Sequence, residues 1–214
     1  MRQIAIGLFL LCGTILLPQH KPFVRVRWND AKVHIVYKGK AMEYNFQDPS
    51  AGRSTKPYSA LYLADIDSIK TMYLAEKNGA VLMLLNISGP SRGRAAASGF
   101  CGAGMERALV LFKFDQQGEI ETPSVVRYES CLATIEPKTG EDDAPHAEED
   151  GRIAATLVYF RELRKYDMRK PPPDDAFGEV TVHVFFDPAQ PDRGLVIKEN
   201  CRLRNSSAAC PSAQ

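Results

Sequence analysis

The chain has 214 residues, 44% hydrophobic and 25% charged, and its 27 Lys and Arg against 26 Asp and Glu give a formal charge of +1. That balance argues against a dedicated nucleic-acid binder, and Gly 15 with Pro 14 excludes collagen-like and low-complexity chains. A chain of this size buries roughly 70% of its unfolded surface, so disulfides would add to a core and not replace one.

The N-terminal segment reads as an export signal. Arg2 precedes an apolar run from Ile4 to Leu17, closed by Pro18-Gln19-His20-Lys21-Pro22. As a helix the run spans about 21 Å, short of a hydrocarbon core of roughly 30 Å. We therefore assign residues 1–19 to a signal peptide and 20–214 to a single β-rich domain. The alternative is a retained anchor, since no Ala-x-Ala site follows the run, and membrane contact is expected only in that case. The expected location is periplasmic or secreted. Of the 5 cysteines, Cys12 falls in this signal and Cys101, Cys131, Cys201 and Cys210 remain, an even set suited to an oxidising compartment. Pairing is not readable from sequence; neighbourhood along the chain favours Cys101 with Cys131 and Cys201 with Cys210.

Downstream, the pattern has period two. Val24, Val26 and Trp28 alternate with Arg25 and Arg27, and similar strands follow at Val33 to Tyr37 and Met42 to Phe46. Lys38-Gly39 and Asn78-Gly79 are hairpin turns, the second joining Ile69–Glu76 to Val81–Ile87. Val81 to Leu85 is apolar on both faces, which marks a central strand. Further strands read at Ala108 to Asp115, Ser124 to Ser130, Ile153 to Phe160, Glu179 to Asp187 and Leu195 to Asn200, separated by turn-forming residues. Tyr58 to Ser68 reads as a short helix or an irregular segment, and Arg152 to Lys165 as a strand with a polar extension. The expected fold is an all-β antiparallel sandwich or barrel of about ten strands with at most one or two short helices.

Two long loops stand out. Residues 136–151 carry acidic clusters around His146 and no large apolar side chain, the composition of a solvated, mobile segment. Residues 88–107 are rich in glycine around Cys101, and long loops in compact domains often carry function. Within them Gly89-Pro90-Ser91-Arg92-Gly93 resembles the Gly-x-Ser-x-Gly elbow of serine hydrolases after an apolar strand. The resemblance implies a nucleophile Ser91, with Asp174 or Asp175 and His183 as partners. It spans only those five residues, and the expected antiparallel sheet lacks the parallel strands and following helix of that family.

The leading expectation is instead a non-enzymatic binding protein whose contact surface is loop 88–107. Arg92, Arg94 and Arg107 would form an anion-receptive rim, Phe100 an aromatic contact, and Glu106 a rim charge or an arginine's partner. The expected partner is an envelope or extracellular protein or glycan. A purely structural envelope component is the third reading. Scattered histidines at positions 20, 34, 146 and 183 give no metal-ligand spacing, and Gly99, Gly102 and Gly104 do not complete a dinucleotide fingerprint, so no metal or cofactor is expected. The basic cluster Arg161, Arg164, Lys165, Arg169 and Lys170 reads as a solvated strand end.

Overall fold

A computed structural model describes residues 23–47, 56–77, 79–91, 104–138, 145–148, 150–165, 169, 173, 175–203 and 208–210. The expected signal peptide, most of loop 88–107 and the middle of the acidic segment lie outside these residues. In chain order the strands are β1 (Arg25–Asn29), β2 (Lys32–Tyr37), β3 (Lys40–Asn45), β4 (Ser68–Lys77), β5 (Ala80–Pro90), β6 (Met105–Phe114), β7 (Ser124–Ser130), β8 (Glu136–Pro137), β9 (His146–Ala147), β10 (Ile153–Glu162), β11 (Phe177–Phe186) and β12 (Leu195–Leu203). Each of the ten strands read from the sequence is present. Helix among the described residues is confined to a 3-10 turn at Pro191–Arg193.

The strands form an all-β sandwich of three antiparallel sheets, ordered β1-β2-β3, β4-β5-β6-β7 and β12-β11-β10-β8, with β9 also paired to β10. The four-stranded sheet is the middle layer. On one face Val81, Met83, Leu85, Val110 and Phe112 pack against Val33, Ile35 and Tyr37 of the three-stranded sheet. On the other, Leu82, Leu84, Leu109, Val126 and Tyr128 pack against Leu157, Tyr159, Val180, Val182 and Phe186. A strand buried on both faces has no polar face to alternate, which is why β5 reads as a continuous apolar run. The outer layers cover one face each and keep the alternation, as in the burial of β2 and β11.

Turn chemistry follows the sequence. Lys38 and Gly39 both take positive φ between Tyr37 and Lys40, and Gly79 does so between paired Lys77 and Ala80, as tight hairpins require. Of two segments left open or read as loop, the first takes the irregular alternative and the second departs from expectation. Tyr58 to Ser68 is irregular, crossing the end of β5 through a single bridge from Leu63 to Ser91. The acidic segment is not wholly free, because Glu136–Pro137 and His146–Ala147 pair with β10 and cover parts of its edge. Backbone groups on a sheet edge gain partners regardless of side-chain composition, so the charge pattern did not announce this pairing.

Candidate functional site

The stems of the glycine-rich loop meet at Ser91 and Gly104, where the Ser91 N–H donates to the Gly104 carbonyl over 2.9 Å. Directly beneath them lies Glu106, a carboxylate with 0% exposure. Its Oε1 accepts from Ser91 Oγ at 2.7 Å and Ser130 Oγ at 2.9 Å, and its Oε2 from Arg127 Nη1 at 2.9 Å. A buried charge is tolerated only when its lone pairs and its countercharge are supplied together, and this set supplies both. Removing one partner of such a pair costs about 3–5 kcal/mol.

Register explains how the cluster assembles. Glu106 stands opposite Ser130 and Ala108 opposite Arg127, so β7 carries one more residue than β6 over this stretch. Residues three apart in a regular strand face opposite ways, but the bulge returns Arg127 and Ser130 to the face of Glu106. Tyr128, the extra residue, turns to the other core and donates its hydroxyl to Asn86 Oδ1 at 2.8 Å.

The same network reaches outward. Arg127 Nη2 donates to the Pro57 carbonyl, the Arg127 N–H to the Tyr58 carbonyl at 2.6 Å, and the Ala133 N–H to Ser130 Oγ at 3.0 Å. Pro57 and Ala133 are walls of a cleft of about 440 Å³, whose other lining residues are Lys56, Tyr159, Phe160, Arg161 and Glu162. One buried carboxylate thus holds both the loop stems and one side of the cleft.

Lys56, next to Pro57 in the cleft lining, is tied across layers. Glu199 of β12 accepts from Lys56 Nζ at 2.7 Å and from the Tyr58 hydroxyl, and the Tyr58 and Tyr159 rings approach with centroids 6.1 Å apart. Burial raises the Glu199 pKa, but the hydrogen bonds from Lys56 and Tyr58 and the Lys56 and Arg161 charges outweigh it and hold the carboxyl below its ordinary range. Tyr58 is pushed well above an ordinary phenol by burial and then by Glu199, and Tyr159 is raised for the same reasons. Arg161 Nη2 points at Cys201 Sγ, 3.7 Å away. Cys201 and Cys210 form a disulfide with Cα atoms 5.4 Å apart. That bond occupies the space over Gly178, where a Cβ would lie 2.5 Å from Cys210 Sγ.

Comparison of the chain with known protein families, curated proteins and solved structures found no match.

Of the residues singled out in the sequence, Arg92, Arg94, Phe100, Cys101 and Asp174 lie outside the described residues. Cys131 is disulfide-bonded. Arg107 pairs with Glu129 at 3.2 Å on a partly exposed surface. Glu106 is no rim charge: it is buried, and the arginine it meets is Arg127. Ser91 is also buried, its hydroxyl given to Glu106. His183 stands on the solvent face of β11 in another layer, with Nδ1 3.1 Å from Thr156 Oγ1, in a polar groove of about 170 Å³ with Lys138, Asn200 and Arg202. Ser91 and His183 are not brought together. Asp175, the other acid considered, pairs with Arg164. Among the described residues no cluster of three His, Cys, Asp or Glu is placed to hold a metal ion.

Proposed function

We propose that the protein is an exported, non-enzymatic binding protein whose contact surface is loop 88–107 together with the cleft at its base, and whose partner is an envelope or extracellular protein or glycan. The observation that carries this reading is the Glu106 network. It spends a buried ion pair on fixing two loop stems and a cleft wall relative to each other, a use that suits a preorganised binding surface. The Cys201–Cys210 disulfide suits an oxidising compartment, in keeping with the apolar N-terminal run and a periplasmic or secreted location.

The Ser91 hydroxyl donates to a buried carboxylate and not to a histidine, so the hydrolase alternative lacks its general base at this position. The test uses the purified chain on an array of immobilised glycans and extracellular-protein fragments. Arg94→Ala and Phe100→Ala should each lower the array signal by tenfold or more at an unchanged unfolding temperature, about 1.4 kcal/mol of binding free energy or more. Wild-type signals from both variants, or covalent labelling of Ser91 by a fluorophosphonate in the folded protein, would overturn the reading.

A further inference from the structure

β1 is the outer strand of the three-stranded sheet, which covers the face of the middle layer opposite the cleft. Among the described residues two of the four exposed large hydrophobic side chains are here, Phe23 just before the strand at 78% and Trp28 within it at 42%. Arg25 and Arg27 are exposed between them, and the Arg25 guanidinium lies 5.7 Å from the Phe23 ring centroid. Among the described residues neither arginine meets a carboxylate: across the strand Arg27 faces His34, and Glu43 is engaged by Lys32 at 2.8 Å. Over residues 23–47 the basic side chains Arg25, Arg27, Lys32, Lys38 and Lys40 outnumber Asp30 and Glu43; Lys32 pairs with Glu43 and Lys40 with Glu119, which leaves Arg25, Arg27 and Lys38 outside ion pairs among the described residues.

We propose that this edge docks edge-on against an anionic lipid surface, with Phe23, Arg25 and Arg27 on one side of the strand and Trp28 on the other, the arginines on headgroup phosphates and the two rings at the headgroup–acyl boundary. Guanidinium forks match phosphate oxygens, and amphipathic aromatic rings settle at that depth. A second copy of the chain fits poorly, because edge-to-edge pairing of two β1 strands sets the arginines of one against those of the other. Position along the chain supports the lipid choice. In the retained-anchor alternative residues 18–22 reach at most about 18 Å and keep Phe23 near the bilayer; with residues 1–19 removed, the lipid choice rests on the charge of this edge alone. The proposal is independent of the loop and the cleft.

Trp28 is the sole tryptophan, so its emission reports this edge alone. The full chain is mixed at low salt with phosphatidylcholine vesicles and with vesicles containing about 30% phosphatidylglycerol, a surface that attracts nearby Lys and Arg. Trp28 emission should shift to the blue and lose access to a water-soluble quencher only with the anionic vesicles, and high salt should reverse the shift. The Arg25→Gln/Arg27→Gln variant, folded by circular dichroism, should need about 25-fold more lipid for the same shift, at roughly fivefold per arginine. Unchanged emission with anionic vesicles, an equal shift with neutral ones, or a wild-type response from the double variant would each refute the docking.

Discussion

A methyl group added to Gly89 would lie 2.1 Å from the Asp65 carbonyl oxygen, a backbone atom that cannot step aside alone. The neighbouring hydrogen bonds explain the closeness: Ala64 N–H donates to Pro90 O at 3.0 Å and Asp67 N–H to Ser88 O at 2.9 Å, drawing the crossing segment onto β5. The glycine that begins the Gly-x-Ser-x-Gly pattern therefore serves a close backbone approach. Gly89→Ala should cost about 2–3 kcal/mol in denaturant unfolding, and a neutral result would contradict this packing. Tyr128 supplies a second test. Burial, only partly opposed by the Arg107 charge, pushes its phenol up to about 12. An unfolded tyrosine titrates near 10, roughly, so the stabilisation is complete below that pH and is lost as pH rises through the folded value. Alkaline unfolding followed by tyrosinate absorbance should show Tyr128→Phe flattening the loss of stability between about pH 10 and 12. Equal pH dependence in variant and wild type would count against it. At residue scale the sequence singled out Ser91 and Glu106; of the two roles read for Glu106 the structure has the arginine's partner and not the rim charge, Ser91 gives its hydroxyl to that carboxylate, and Arg127 was passed over as one charge within a strand. Period-two reading groups Arg127 with Glu129; the bulge regroups it with Ser130, and nothing in the composition of Ser124 to Ser130 signals a bulge.

Strands were far more legible, because burial on one face or two writes a pattern directly into hydrophobicity. β5 illustrates the point: Leu84 belongs to one core and Leu85 to the other, both with 0% exposure. Leu84→Ala and Leu85→Ala should each destabilise by about 2–5 kcal/mol. A strand covered on a single face would show that cost at only one of two adjacent positions, so a mild effect at either residue would argue against the middle-layer placement. By contrast β8 and β9, with two residues each, are too short to show periodicity and were read as part of a loop. The Cys201–Cys210 pair is the one that neighbourhood along the chain favoured, although spacing does not by itself fix a pairing. Gly178, which vacates the volume that bond fills, was not legible, since it comes from a different strand.

At the scale of the molecule, the described residues form three sheets around two cores, and the middle sheet packs against a core on each face. A double-sided apolar strand predicted a central position but not that β5 and β6 both lie between two outer sheets, because layer order depends on contacts far apart in the chain. The same distance hid the cleft: Lys56 and Tyr58 meet Glu199 across more than half the sequence. The account rests on Glu106 holding loop stems and cleft wall as one unit, and hydrogen exchange in Glu106→Gln tests it most directly. The amides of Ser91, Arg127, Ser130 and Ala133 should lose protection together while those of β10 and β11 keep theirs. Unchanged protection at those four amides, or a loss spread evenly over all three sheets, would contradict the account.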